Sequence, residues 1–315
     1  MADIGYKLIC FANDIAKALF NAGFNFVTMN PETFSNGNMY AFAKTLNSIF
    51  VTLGVSFATI LFLVDFCMAS TDVKNEMRLP NIVKMYIKIG VCAALITFSM
   101  DILSAFIKSE NALLNVVSGD VYLKETTSYG APITSLFSGF SKPVGDMLAE
   151  LCYMQRLAEL IKDASFFEAI IYTIIALIAL LILAAAGLYF IFTGIVRMFK
   201  IFTVLPFASF AFATFGAREN SSIGSILPGY IKSFAGLLLE NASIVIAVRL
   251  FFSFASHSSG ALTFLGKLGC SEDFTGYTAS VIFLLLNAIA CYAFFTLIVT
   301  AAKDVPKHAL GLGNL

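Results

Sequence analysis

The chain alternates between long apolar runs and short charged breaks. Residues Ala41–Met68 form the first run. Its uncharged part, Thr45–Val64, is long enough as a helix to cross a hydrocarbon core of about 30 Å, and Asp65 closes it. A second helix is predicted from about Asn81 to Ile107, but its uncharged centre, Ile89–Met100, is short. That suits a tilted or protein-covered span. The clearest span is Glu168–Val196, uncharged from Ala169 onward, with a small-residue belt at Ala184–Gly187 that permits close helix approach. Ile201–Ala217 is at the lower length limit for crossing, contains Pro206, and has basic residues on both sides. Ser209, Ala213 and Ala217 give it one small face. Two further spans are predicted at about Tyr230–Phe254 and Tyr277–Ala302.

Ahead of these, residues 3–28 carry Ile4, Leu8, Phe11, Ile15, Leu19, Ala22 and Phe26 at spacings of three or four. Lys7, Asp14, Lys17 and Asn21 fall between them. This predicts an amphipathic helix, placed either in the membrane interface or against the protein's own bundle. The charges interrupt what a signal peptide would need as its apolar core. Residues 29–39 read as a turn rich in Asn, Gly and Pro.

Composition agrees with the runs. The chain is 59% hydrophobic and 13% charged, where soluble domains carry roughly 25% charge. Mean hydropathy is +0.86. The expectation is an all-α polytopic membrane protein with five transmembrane helices, six being the alternative. An amphipathic N-terminal helix and a long extracytoplasmic loop complete it. The organisation read from the sequence is an interfacial helix and turn (1–39), two transmembrane helices joined by a basic cytoplasmic loop (40–108), and an outer loop with an amphipathic helix (109–168). A transmembrane core with a broken or re-entrant segment at 201–229 follows (169–302), then a short tail (303–315). Lys74, Arg78, Lys84 and Lys88 place the first loop inside by the positive-inside rule. If Ile201–Ala217 re-enters without crossing, Arg197, Lys200, Arg218 and Lys232 also stay inside. The N-terminus is then outside and the C-terminus inside. Tyr40, Tyr86, Tyr230 and Tyr277 supply an interfacial belt in a chain that lacks Trp.

Net charge is zero, from 20 basic and 20 acidic residues, so no general basic field invites nucleic acid. The sequence contains no GxSxG, Walker A or HExxH pattern and no Cys or His at metal-ligand spacing. It therefore predicts no enzyme, no cofactor and no metal. A Cys152–Cys270 disulfide outside the membrane is one open pairing. The charges within apolar runs remain. Glu240, eight residues past Lys232, is expected near mid-membrane, lining a polar path, gripping a partner subunit, or hydrogen-bonded to a neighbouring helix. Arg249 lies half a revolution away and is expected to snorkel outward. Arg197, Lys200 and Lys232 are candidates for pore lining or subunit contact, ordinary positive-inside anchoring being the plainer reading of the first two. Pro206, Gly216, Pro228 and Gly229 are the candidate helix breaks.

Arg197 and Lys200, the LPFASFAFATF run around Pro206, a short break, YIKSFAGLLLENASIVIA and a last long apolar helix follow one another in that order. This succession resembles the TrbL-like family, polytopic membrane proteins of conjugation and type IV secretion systems. The resemblance is best between about Ala169 and Lys303, and earlier residues match in layout more than in motif. It implies a channel subunit of the bacterial cytoplasmic membrane. Such a subunit would self-associate, contact other secretion subunits and cytoplasmic ATPases, sit among membrane lipids, and help DNA or protein substrates cross. A small-molecule or ion transporter, and a structural or lipid-organising membrane protein, are the competing readings.

Overall fold

The computed structural model describes residues 2–71, 79–118, 144, 147, 165–217, 223–256 and 277–311. The centre of the basic loop, most of the outer loop and its amphipathic segment, Arg218, His257, Cys152 and Cys270 lie outside the described residues.

All regular structure among the described residues is helical. The helices are α1 (Ala2–Thr28), α2 (Asn38–Thr71), α3 (Leu79–Thr97), α4 (Ser99–Ser118), α5 (Phe166–Val204), α6 (Ala208–Ala213), α7 (Ile226–Ser256) and α8 (Tyr277–Ala309). Short 3-10 turns stand at Phe34–Gly37, Leu205–Phe207 and Thr214–Gly216. Four stretches are long and apolar enough to cross a membrane: Phe34–Met68, Phe166–Gly216, Ile226–Phe252 and Leu285–Ala309. A fifth arises if Ile82–Thr97 and Ser99–Asn115, bent by 60° at Phe98, count as one broken span. This is the architecture of a polytopic membrane protein.

Local chemistry sets several boundaries. Ser165 caps the start of α5, and its N–H and hydroxyl both donate to the Glu168 carboxylate, at 3.1 and 2.7 Å. That is half of a capping box. α8 continues past Ala302 to Ala309, and Gly311 follows it in the left-handed conformation (φ +71°) that closes many helices. The bend at Phe98 has neither Pro nor Gly, so sequence gave no sign of it.

The chain divides into two compact units. The first comprises Met1–Thr28, Leu114–Val196 and Glu240–Val305. Its core joins Ile9, Phe20 and Val27 of α1 to Tyr172, Leu183 and Phe190 of α5, Val245 and Phe252 of α7, and Phe295 of α8. Three glycines fix the register of α1 on α5. A Cβ at Gly187 would meet Leu19, one at Gly23 would meet Phe190, and one at Gly194 would meet Phe26, at 2.8–2.9 Å. Residue numbers rise together on both helices, so they run in the same direction. Of the two placements open to α1, the bundle is the one observed. The apolar stripe read from sequence packs only in part: Leu19 and Phe26 meet α5, Leu8, Phe11 and Ile15 are exposed, and Ile9, Ala16, Phe20 and Val27, off that stripe, are buried.

The second unit comprises Met29–Leu113, Arg197–Leu239 and Pro306–Leu315. Here the broken segment after α5 packs along α2 and against α3. Phe50 and Phe57 of α2 meet Phe207 and Phe210, with ring centroids 4.9 and 4.7 Å apart. A Cβ at Gly54 would lie 2.9 Å from the Ser209 carbonyl oxygen, so only glycine admits this approach. Ser209, Ala213 and Ala217, the small face read from sequence, are all buried.

Candidate functional site

Polar groups in each unit gather where apolar helices would otherwise leave them without water. In the second unit Arg197 is the largest fully buried side chain. It forms an ion pair with Glu110 of α4, which is equally enclosed. Arg197 is therefore neither a surface anchor nor open to solvent in this unit, and its partner was not foreseen. Lys200, one turn on, is exposed, as is Lys232.

The broken segment is held by a polar network. Ser99, at the start of α4, lies 2.9 Å from the Ser209 hydroxyl and donates to the Asn47 side-chain oxygen at 3.4 Å. The Asn47 amide donates to the Pro206 carbonyl at 3.2 Å. At the far end Lys88 donates to the Ala217 carbonyl at 2.6 Å, and the Cys92 thiol lies 3.5 Å from the Ala213 carbonyl. These donors meet the carbonyls left open where the helix breaks. A small open depression sits here, lined by Phe62, Asp65, Met85, Lys88, Cys92 and Gly216 among others. Pro206 and Gly216 occupy the two 3-10 turns. Pro228 and Gly229 lie in the first turn of α7, where Pro costs little because those N–H groups have no helical partner.

In the first unit Glu240 is 4% exposed. Among the described residues no hydrogen bond or ion pair reaches its carboxylate. The residue that does reach a neighbouring helix is Asn241, whose amide donates to the Val27 carbonyl. Val27 packs beside Gly194. That sets Asn241 and its neighbour Glu240 level with the C-terminal end of the uncharged run of α5, not with its middle. Lys303 shares that level: it donates to Thr193 at 3.2 Å and to Tyr189 at 3.3 Å, and lies 5.0 Å from the Tyr189 ring centroid. Arg249 does not snorkel outward. It is buried, with its guanidinium 5.8 Å from the centre of the Phe24 ring, a cation–π distance.

The sequence could have offered Glu110 only as one charge at the end of a moderately apolar helix. The Ser99–Ser209–Asn47 cluster carried no sequence signal, because its members are 52 and 110 residues apart. Among the described residues no group of three or more metal-ligating side chains occurs. No family model, curated protein or solved structure matches this chain.

Proposed function

We propose that the chain is a membrane-embedded subunit of a conjugative type IV secretion channel, working as an oligomer that helps DNA or protein cross the bacterial cytoplasmic membrane. The observation that carries this reading is the buried charge on the apolar helices of the TrbL-like stretch. Arg197, Glu240 and Arg249 all lie inside the packed protein, and a plain anchor has no use for such residues. The likeness of that stretch to the TrbL-like family supplies the channel role. In the first unit Asn241 meets Val27 and Arg249 meets Phe24, so α7 runs against α1. Phe295 packs on Phe20, and Lys303 reaches Thr193 further along, so α8 runs with α1 and α5. The start of α1 and the end of the α8 span thus lie at opposite ends of this unit. This supports termini on opposite sides of the membrane, and the positive-inside reading of the basic residues puts the N-terminus outside and the C-terminus inside. Other secretion subunits and cytoplasmic ATPases are the partners on this reading, and the exposed Lys200 and Lys232 are available to them.

A transporter is the second reading, favoured by the polar network around the broken 205–216 segment, since transporters bind substrate at interrupted helices. Donor-to-recipient DNA transfer separates the two. A donor cell lacking this chain should lose transfer and regain it with the wild-type gene. Undiminished transfer, together with loss of uptake of a small solute, would overturn the channel reading.

A further inference from the structure

Lys303 of α8 is a cation at the edge of the apolar layer, and among the described residues no carboxylate pairs with it. Its ammonium is held between α8 and α5 by the Thr193 hydroxyl at 3.2 Å and the Tyr189 hydroxyl at 3.3 Å. Glu240, level with it on α7, is enclosed and makes no pair with it. Asp304 is the next residue on α8 but projects about 100° further round the helix. An ammonium has three N–H donors. Thr193 and Tyr189 take two of them, and the third meets no acceptor among the described residues.

Depth and surroundings narrow what can answer this charge. The uncharged run Ala169–Val196 of α5 has its middle near Ile182, and Thr193 lies eleven residues further on. At 1.5 Å per residue that is about 16 Å from the middle, against a half-thickness of about 15 Å for the hydrocarbon core. Lipid phosphates begin at this level. The cluster also opens outward: Thr300 is exposed, and Tyr189 and Lys303 are half-buried. Phe192, three residues past Tyr189, and Leu297, three before Thr300, are 60% and 66% exposed and flank it with apolar surface. The Thr300 hydroxyl donates to the Thr296 carbonyl at 2.7 Å, so the Tyr189 hydroxyl is the donor in its 3.1 Å contact with Thr300. A phosphate oxygen drawn to Lys303 can accept that Tyr189 proton instead.

We propose that Lys303, Tyr189 and Thr300 form a site for the phosphate of an anionic membrane lipid of the phosphatidylglycerol class. The third N–H of Lys303 and the Tyr189 hydroxyl donate to the phosphate, Thr193 keeps the ammonium in place, and the acyl chains lie along Phe192 and Leu297. A lysine that only snorkels reaches for water on a free stem. Here two hydroxyls fix the ammonium, 5.0 Å from the centre of the Tyr189 ring, before any ligand arrives. Basic pockets between transmembrane helices are a general mode of headgroup recognition. A lipid with one net negative charge matches the single unneutralised lysine, whereas a choline headgroup brings its own cation. The inference rests on the membrane placement alone, not on what the protein carries.

The test is native mass spectrometry of the full chain in detergent, titrated with short-chain phosphatidylglycerol or with phosphatidylcholine of the same chains. A hydrogen bond to a charged group is worth a factor of about ten or more. The wild type should therefore bind phosphatidylglycerol about tenfold more tightly, and Lys303→Gln should abolish the preference. Tyr189→Phe should weaken binding roughly three- to tenfold. Lys303→Arg should retain the preference, as should Lys44→Gln, which removes an exposed lysine of α2. The proposal is overturned if the wild type binds both lipids alike, or if Lys303→Gln keeps the preference. It is also overturned if inorganic phosphate competes on equal terms with the lipid, which would make this a soluble-anion site. Should Lys303→Gln lose its helicity, Tyr189→Phe decides, and unchanged binding there overturns the proposal too. DNA transfer plays no part in this titration, so the lipid site and the secretion role can fail separately.

Discussion

Removing the Glu110 carboxylate leaves a guanidinium sealed in protein. Arg197 is 1% exposed, and the carboxylate of α4 is its partner across the second unit. In Glu110→Ala the arginine keeps its desolvation cost and loses the attraction that offsets it. Breaking a buried pair from one side costs about 3–5 kcal/mol, and every 1.4 kcal/mol is tenfold. Even the lower figure reduces the folded-to-unfolded ratio more than a hundredfold. Glu110→Gln keeps the volume and a hydrogen-bond acceptor, so its cost should be smaller. The double variant Glu110→Leu/Arg197→Met removes both charges together. It should recover most of the loss, because apolar replacement of a whole buried pair is often neutral or stabilising. Unfolding by SDS in mixed micelles, followed by circular dichroism, measures all three. The reasoning is refuted if Glu110→Ala costs no more than the ~1 kcal/mol of a solvent-exposed pair, or if the double variant is worse than the sum of its single changes.

Two glycines should respond in opposite ways to Ala. Gly54→Ala brings a Cβ to 2.9 Å from the Ser209 backbone oxygen and should destabilise by about 1–3 kcal/mol in the same assay. Gly90→Ala, on α3 with nothing within 4 Å of the new carbon, should stabilise by roughly 0.5–1 kcal/mol. Cys67 is exposed and Cys92 is buried against the carbonyls of the broken segment. In detergent, maleimide should therefore modify Cys67 at least tenfold faster than Cys92, and comparable rates would contradict the packing of α6 on α3.

The long apolar helices were legible because a membrane span is declared by local composition alone. Phe166–Gly216 and Ile226–Phe252 need no knowledge of neighbours to be seen as candidates. Helix register was not legible. α1 has apolar residues on two sides, and only the meeting of Gly23, Gly187 and Gly194 with its neighbours decides which side packs. Glu240 illustrates the same limit. Counting residues from Lys232 gave it a depth near mid-membrane, but helix ends are poor rulers. The Asn241–Val27 bond ties it instead to the end of the α5 run. Arg197 was singled out for being charged in the right place, and its enclosure was hidden because Glu110 lies 87 residues away. The bend at Phe98 is a matter of tertiary contact: the buried Ser99 hydroxyl serves Ser209 and Asn47, which periodicity does not report.

The central claim is that this is a channel subunit built from several copies, and its most direct test is the mass and symmetry of the nanodisc-embedded protein by cryo-electron microscopy. The expected result is a closed ring in which the exposed Lys200 borders the central opening. A monomer with an occluded cavity at the membrane midplane would contradict it and point to a transporter.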